Sequence, residues 1–571
     1  MKQDHPKFRL YLISAIAGLL WTLFMVSSKD PISATLVQQT PQIDSEIQDS
    51  TYSLKFLIRN MGFGASQWLI SASKQPRHIL VNGKEFQEIP QPFVSPDDGL
   101  LLDLGSLMHF GINEIEIDNI RDSSFHFQPL ISATDKIFTG LLTFIGLVPL
   151  LWALCGFFHL RRSQFLILLI SLIPLAIYWV VTPYNIRGYD VLRPGGHLHF
   201  ITYVGTLMKL PPAYAGWEYY QPPFYYLTAA LVWRLADFVQ ISPSSTAQAY
   251  SMILWLVFVT VGGAIFRLTL RGKSLRINMA TLTLAFWPSA SMHAVRLGND
   301  SMLYALTAFA LFFFHRYWLG HHRADVWGLS ISVALALLTK SNALVMAGLF
   351  GLFLLFFAIQ RKRWVDFWIY VGSSVLGNLL GLMDNIYYYW KGFVGDWLIS
   401  NVESLQDIPI SNQVTNFLPI QIKTFLTQPW IWSEGDLSCG REYFWNYLLR
   451  TSLSGQFKYF DSVSCFVGYV QGGLLLLLLI GLIGLAIRSF AQWKSIAVRN
   501  AHWLSLAALW VLSMLVLRYR MKVSCSADFR YIIPIIIPLG IAVAHAGRFT
   551  HLVMLLMGGL SLVFYLNFLT M

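Results

Sequence analysis

Long uncharged apolar stretches make up most of the chain, and charged residues gather in the short gaps between them. A stretch of about 20 apolar residues is long enough to cross the hydrocarbon core of a membrane as a helix. The pattern therefore predicts about thirteen membrane-spanning helices, the first of them within residues 1–28. The other predicted spans are 137–160, 164–182, 249–270, 277–295, 301–318, 325–340, 342–359, 365–385, 467–488, 501–518, 530–546 and 549–568.

Residues 29–136 show a different pattern, in which short alternating stretches are separated by Gly, Pro, Asn and Asp. Asn82-Gly83 stands between the apolar triplet 79–81 and the triplet 84–86, which is typical of a two-residue hairpin turn. The alternation predicts an inserted β-sandwich domain of ordinary size. Such a domain serves either as a spacer that packs on the membrane part or as a sugar-binding module.

Composition and charge agree with a membrane protein. Of the 571 residues, 55% are hydrophobic and only 12% are charged, and the net charge is +11. The basic residues form short clusters between apolar stretches instead of one continuous basic face, which argues against nucleic acid as a partner. Membrane lipids and a phosphorylated lipid substrate are the partners that this charge pattern favours.

The basic clusters also predict an orientation, because short cytoplasmic loops are enriched in Lys and Arg. If the ambiguous segment 222–241 does not cross the membrane, the clusters at 161–162, 271–273 and 361–363 all lie on the side of the basic N-terminus. The N-terminus is then cytoplasmic and the C-terminus lies outside. The β-domain and a long loop, 386–465, would share the extracytoplasmic side.

The predicted organisation is an N-terminal transmembrane helix (1–28), an extracytoplasmic β-sandwich domain (29–136) and a multi-span domain (137–571). Residues 183–221 form a long polar, proline-marked interruption of the multi-span domain. Acidic and other polar side chains in such a loop, at the edge of an apolar slab, are candidates for function. These residues are Asp190, His197, His199, Glu218 and Gln221.

After Gly195-Gly196, apolar residues recur at helical spacing, which predicts a short amphipathic helix at the membrane surface. His197 would face water or the site from this helix. Pro211-Pro212 would end it.

The order GYD, GGHLHFITYV, LPP and GWEYYQPPFYYLTAAL in this loop resembles the first outer loop of the GT-C glycosyltransferases. That superfamily includes the protein O-mannosyltransferases and the aminoarabinose transferases of lipid A. RLGNDSMLYALTAFAL and ADFRYIIPIIIPL are also similar to family stretches, and the resemblance covers about residues 164–546. It implies a GT-C-like fold and transfer of a sugar from a polyprenyl-phosphate carrier to a glycan, lipid or protein acceptor.

The resemblance implies that the acid of the first outer loop, here Asp190, acts as general base or positions the acceptor. His197, Glu218 and Gln221 would then help to position the acceptor. A leaving phosphate requires positive charge, preferably from planar Arg donors. The candidates for that role are Arg187, Arg193, Arg296, Lys340 and Arg530.

Several polar residues of these stretches also have a structural interpretation. Asp190 could cap the following helix, Glu218 could belong to an interfacial aromatic belt, and Asn299-Asp300 could begin the next span as an N-cap. The family loop often carries two adjacent acids, whereas Val191 follows Asp190 here, so a divalent metal ion stays an open alternative. The four cysteines show no metal-ligand spacing.

A transporter or flippase of lipid-linked saccharides is the main alternative to an enzyme. Transporters are typically built from internal repeats with discontinuous helices near the membrane midplane. The two halves of this sequence show no convincing repeat, and the polar groups cluster on one predicted face. A scaffold that recruits a glycan enzyme would leave that clustering unexplained.

Overall fold

The computed structural model describes most of the chain outside a few loops and parts of the β-region. The described residues are 5–29, 35–43, 50–60, 67–71, 78–86, 100–104, 107–109, 111–120, 126–129, 133–182, 184, 187–191, 195–239, 241–396, 398, 410–432, 437–491 and 493–570.

The β-region contains eight described strands in two antiparallel sheets. The first sheet has the order β1-β2-β7-β4-β5 and the second has the order β6-β3-β8. The strands are β1 (Thr35–Ile43), β2 (Ser50–Asn60), β3 (Gln67–Ser71), β4 (Ile79–Val81), β5 (Lys84–Glu85), β6 (Leu100–Asp103), β7 (Gly111–Ile120) and β8 (His126–Pro129). The packing of these two sheets as a sandwich stays a prediction.

The hairpin predicted at Asn82-Gly83 is present between β4 and β5. Both turn residues have positive φ, 53° and 75°, as the tight hairpin turn requires. Ile79 and Val81 alternate inward and are fully buried, and so are Ile115 and Ile117 on the neighbouring strand β7. This alternation gives the first sheet one apolar face.

The remainder of the described chain is helical. The helices are α1 (His5–Lys29), α2 (Ala133–Phe157), α3 (Arg162–Val181), α4 (His197–Leu207), α5 (Phe224–Phe238), α6 (Pro243–Thr269), α7 (Ser274–Ala285), α8 (Ala290–Ala294), α9 (Asp300–Gly320), α10 (Arg323–Leu337), α11 (Ala343–Arg361), α12 (Trp364–Trp390), α13 (Ile422–Thr427), α14 (Phe444–Ser454), α15 (Ser462–Ala491), α16 (Trp493–Arg520), α17 (Ile536–Ala546) and α18 (Arg548–Asn567).

Among the described residues, ten helical segments are long and apolar enough to cross a membrane. They are α2, α3, α6, α9, α11, α12, most of α15, residues 502–520 of α16, the segment Ser524–Ala546 and α18. The chain is therefore a multi-pass membrane protein, but the predicted number of thirteen spans is not confirmed. The short helix α5 covers most of the ambiguous segment 222–241 and is not one of the ten.

The predicted span 277–295 is wrong as a single helix. Helix α7 ends at Ala285, and the five-residue helix α8 begins only at Ala290. Pro288 lies between them, and proline breaks a helix because it has no N–H to donate and clashes with the preceding turn. The Tyr565 hydroxyl of α18 donates to the Pro288 carbonyl at 2.8 Å, so a neighbouring helix pairs a backbone group in the break.

The predicted span 325–340 is also shorter than expected. Helix α10 stops at Leu337, after 15 residues, and Lys340 lies in the turn that follows it. The backbone N–H of Phe224, at the start of α5, donates to the Leu338 carbonyl at 2.9 Å. This bond brings the end of loop 183–221 to the end of α10.

Candidate active-site cleft

Two glycines hold the two halves of loop 183–221 against each other. A side-chain carbon built on Gly195 would lie 2.1 Å from the Cα of Gly216, and one on Gly216 would lie 2.6 Å from the Cα of Gly195. Gly195 also has a φ of +69°, which few other residues adopt without strain. Because the backbones touch here, the Glu218 N–H donates to the Gly195 carbonyl at 2.8 Å.

We call this contact between Gly195 and Gly216 the glycine crossing. Asp190 precedes Gly195 in the first half of the loop. It is half-buried and has a φ of +52°, in the left-handed region. Its carbonyl accepts from the N–H of His197 at 3.1 Å, so the backbone of Asp190 is tied to the first turn of α4. The residue at the N-cap position of α4 is Gly196.

Glu218 is a second acid beside Asp190, and it is 5% exposed. Burial first, and then the negative charge of Asp190, raise the pKa of Glu218 to about 8. Its Oε2 atom is buried and has no hydrogen-bond partner within the described part of the chain. Asp190 therefore has a nearby carboxyl group that the spacing of acids along the sequence did not indicate. Because Glu218 is buried, it does not lie in an exposed aromatic belt at the membrane interface.

His197 lies inside the protein instead of facing water. Its Nδ1 atom is 2.8 Å from the hydroxyl of Tyr226, and the side chain is 5% exposed. Burial lowers the pKa of His197 to about 4, so the imidazole is neutral at pH 7. The predicted short helix is confirmed, although it ends at the left-handed Met208, before Pro211 is reached.

Gln221 connects the loop to two helix ends. Its Oε1 atom accepts from the Asn299 side chain at 3.2 Å, and the same amide nitrogen of Asn299 donates to the Thr339 carbonyl at 3.2 Å. Asn299 occupies the N-cap position of α9 but makes no side-chain cap bond. Its side chain instead fixes the loop against the start of α9 and the end of α10.

Asp300 and Lys340 form an ion pair at the same place. The Lys340 Nζ atom lies 2.6 Å from Asp300 Oδ1, and the Lys340 side chain is 9% exposed. Lys340 thus has a carboxylate partner within the protein. Arg296 and Arg530, by contrast, keep N–H groups without a partner among the described residues.

Arg296 and Arg530 both stack on the ring of Tyr189. Each guanidinium carbon lies 3.9 Å from the ring centre, and Arg296 also lies 4.3 Å from the ring centre of Phe457. The Nη1 and Nη2 atoms of Arg296 and the Nε atom of Arg530 are buried, and none has an acceptor within the described residues. Leaving a buried polar group unpaired costs about 1–3 kcal/mol, and more when the group is charged.

Arg187 is farther from this group of charges. Its guanidinium carbon lies 4.6 Å from the ring centre of Tyr459 and 5.3 Å from that of Phe568. Arg187 and Arg296 both line a small cleft at the end of α3, which is separate from the cleft described next. Arg193 lies outside the described residues.

A narrow cleft with room for about one water molecule runs through this region. Its lining includes Tyr189, His197, His293, Arg296, Asp300 and Tyr304. The structure thus gathers side chains from loop 183–221, α4, α8 and α9 around one cleft, and Lys340 and Arg530 approach it through Asp300 and Tyr189.

His293 was not among the predicted site residues. It falls within the predicted continuous span 277–295, and only Pro288 in the sequence could have indicated the break. Among the residues that the structure describes, no group of three or more His, Cys, Asp or Glu side chains could hold a metal ion.

No protein-family model matches the chain, and no curated protein matches it. Solved structures similar to parts of it include ArnT from Cupriavidus metallidurans in the apo state, with 16% identity and a TM-score of 0.37. That alignment covers 67% of this chain and 58% of ArnT, so the chain spans less than two thirds of that structure.

Two further structures are similar at the same level. ArnT bound to undecaprenyl phosphate aligns with 15% identity and a TM-score of 0.31, over 69% of this chain and 77% of that one. The arabinosyltransferase EmbB from Mycobacterium smegmatis aligns with 11% identity and a TM-score of 0.29, over 98% of this chain and 64% of that one.

Proposed function

We propose that the protein is a membrane glycosyltransferase, which moves a sugar from a polyprenyl-phosphate carrier to an acceptor at the extracytoplasmic face of the membrane. One observation carries the proposal: the loop acid Asp190 directly follows Tyr189, the residue on which two arginines stack whose buried N–H donors have no acceptor among the described residues. A base and an anion site side by side are what this reaction requires.

The unpaired donors favour a phosphate as the ligand. Arg296 offers two buried amino groups and Arg530 offers a buried Nε–H. Planar guanidinium groups match the oxygens of a phosphate better than a point charge does. A neutral sugar could accept these hydrogen bonds, but it brings no negative charge to the two guanidinium groups.

In the proposed reaction, Asp190 takes the proton of an acceptor hydroxyl as its oxygen attacks the anomeric carbon. The bond between that carbon and the phosphate oxygen breaks, and its electron pair stays on the phosphate. Arg296 and Arg530 stabilise the added negative charge on the leaving lipid phosphate. A single displacement of this kind inverts the anomeric configuration.

The other site residues have supporting roles in this proposal. Glu218 is protonated at pH 7 and adds no second negative charge beside Asp190. Lys340 neutralises Asp300 at the start of α9, which assigns it to positioning more than to phosphate binding. Gln221 and His197 hold the loop on the helix ends through their bonds to Asn299 and Tyr226.

The structure also gives a reason for the proposed orientation. The cleft lies at the Asp300 end of α9, whereas the basic residues Arg323 and Arg361–Arg363 follow the far ends of α9 and α11. Basic loops favour the cytoplasm, so the cleft end is assigned to the outside.

The experiment is sugar transfer in proteoliposomes with a panel of polyprenyl-phosphate sugars, with and without a chelator. We expect wild-type protein to consume one donor and Asp190→Asn to consume none at matched expression. Inhibition by the chelator would add a metal ion to the mechanism. If no donor is consumed but a labelled lipid changes leaflet, the protein is a transporter and the proposal is wrong.

A further inference from the structure

His293 is a buried polar side chain that none of the roles above uses. Its residue is 3% exposed, and its Nε2 atom has no hydrogen-bond partner among the described residues. A buried ring nitrogen without a partner costs free energy, as any buried unpaired polar group does. Its place in the fold shows what could pair with it.

The backbone break between α7 and α8 places this side chain in the cleft. A continuous helix through Pro288 would change the direction of every residue after it, whereas α8 starts anew at Ala290 and directs His293 to the cleft lining. The Tyr565–Pro288 bond stabilises the break. In membrane proteins, interrupted helices of this kind are typically found where the backbone lines a polar cavity.

The neighbours of His293 are the cations of the proposed phosphate site. Its ring lies parallel to Tyr189, at 13° and with 6.4 Å between ring centres. Tyr189 is the residue on which Arg296 and Arg530 both stack. Four buried nitrogen atoms without a hydrogen-bond partner among the described residues therefore lie around one tyrosine: His293 Nε2, Arg296 Nη1, Arg296 Nη2 and Arg530 Nε.

Burial, and then the positive charge of Arg296, hold the pKa of His293 well below its ordinary value. The imidazole is neutral at pH 7, and in the tautomer with a proton on Nε2 it is a hydrogen-bond donor without charge. Such a donor adds to two guanidinium groups without adding repulsion between cations.

We propose that His293 binds the sugar donor, by donating its Nε2–H to a phosphate oxygen that Arg296 and Arg530 also contact. This inference rests on the proposed function and adds a binding residue to it. His293 keeps its proton throughout the reaction and forms no covalent bond. It would distinguish a lipid phosphate from the corresponding lipid alcohol.

The test compares the binding of undecaprenyl phosphate and undecaprenol to the purified full chain in detergent. We expect wild-type protein to bind the phosphate much more tightly than the alcohol. His293→Leu replaces the imidazole with an apolar side chain of similar size that has no donor, and it should weaken phosphate binding roughly 10- to 100-fold. His293→Gln restores an N–H donor and should recover wild-type affinity to within about threefold.

The controls separate a binding role from a packing role. His322→Leu changes an exposed histidine beyond the far end of α9 and should leave binding unchanged. Equal losses in His293→Leu and His293→Gln would overturn the inference, because packing against Tyr189 would then explain both. Wild-type affinity in His293→Leu would overturn it as well.

A measurement on unaltered protein covers the case in which His293→Leu does not fold. In ¹⁵N-histidine-labelled wild type, an Nε2 resonance that shifts with undecaprenyl phosphate but not with undecaprenol, and that is missing in His293→Gln, would support the inference. No shift at saturating phosphate would overturn it. If wild type binds both lipids equally, the proposed phosphate donor itself is wrong, which is a different result from loss of the His293 effect alone.

Discussion

Buried acidic residues lie near both ends of α9, but the basic residues around them are paired differently at the two ends. At the far end, Asp366 accepts from Tyr317 at 3.1 Å and from Arg323 at 3.0 Å, and Asp325 pairs with Arg316 at 2.9 Å. At the cleft end, Asp300 pairs with Lys340, yet the arginines around Tyr189 keep buried donors without acceptors.

Far-end pairs neutralise each other within the protein, apart from one oxygen of Asp325 that has no partner there. Such an arrangement holds α9, α10 and α12 together and needs no ligand. At the cleft end, Arg296 and Arg530 keep N–H groups with which an anion would pair. The two ends therefore differ in their guanidinium groups and not in burial or charge, because Arg316 and Arg323 each pair with a carboxylate, whereas Arg296 and Arg530 keep buried N–H groups without an acceptor among the described residues.

The largest expected effect contrasts Asp190→Asn with Asp366→Asn. Loss of the proposed base should lower transfer by roughly 10²- to 10⁴-fold and leave the melting temperature in detergent nearly unchanged. Asp366→Asn should lower the melting temperature and leave transfer per folded molecule intact. Turnover in proteoliposomes and thermal unfolding measure the two quantities, and equal turnover in both variants would remove the contrast.

A second effect concerns the glycine crossing that holds the cleft end. Gly195→Ala would place a side chain 2.1 Å from Gly216, so the two halves of the loop must separate. Because misplacing a catalytic group by about 1 Å can cost 10²-fold in rate, we expect transfer to fall by about that factor. Gly272→Ala is the matched control, since Gly272 has a φ of +78° but open space around it. A similar loss of transfer in the control would mean that the crossing has no special role.

A third contrast compares the stability of Arg296→Gln and Arg323→Gln. Arg323 donates to a buried carboxylate, so its loss should lower the free energy of unfolding by about 1–3 kcal/mol. Arg296 leaves two amino groups unpaired, so its loss should change the free energy of unfolding by less than about 1 kcal/mol, while undecaprenyl phosphate binding falls. Denaturation in detergent with and without the lipid phosphate checks both. Greater destabilisation by Arg296→Gln would reverse the comparison.

The smallest effect on transfer is expected at Glu218, where the change is instead a dependence of stability on pH. In the folded chain Glu218 keeps its proton up to about pH 8, whereas in the unfolded chain it releases the proton near pH 4.5. The stability that this group contributes is complete below pH 4.5 and is lost as the pH rises through 8. Glu218→Gln, which resembles the protonated form, should remove this decline and keep transfer at pH 7. Melting temperatures of both proteins from pH 4.5 to 8.5 measure the difference, and parallel curves would contradict the raised pKa.

Much of the fold could be predicted from local pattern. Helical apolar runs, the short helix after Gly195-Gly196 and the hairpin at Asn82-Gly83 all depend on neighbours in sequence, and the structure has them. The prediction of a continuous span 277–295 was wrong because the apolar composition of the segment was given more weight than the helix-breaking Pro288. The turn before Lys340 was predicted to lie inside a span because the residues after the end of α10 continue the apolar pattern up to Thr339.

The site could be predicted only as a set of candidates. Glu218 comes beside Asp190 through the contact of two glycine backbones, and no spacing rule in the sequence encodes that contact. Arg296 and Arg530 are 234 positions apart, yet they stack on one tyrosine, Tyr189, that no sequence motif singles out. Which donors remain unpaired depends on all of these contacts together, so only coordinates can identify them.

The glycine crossing also limits how this loop can change. Residues 195 to 216 are closed into a ring by a backbone contact that tolerates no added carbon. Insertions or exchanges within that ring would alter the place of Glu218, whereas changes outside it need not. In a chimaera that borrows the acceptor specificity of another enzyme, this segment would therefore have to be transferred whole, with both glycines at its ends.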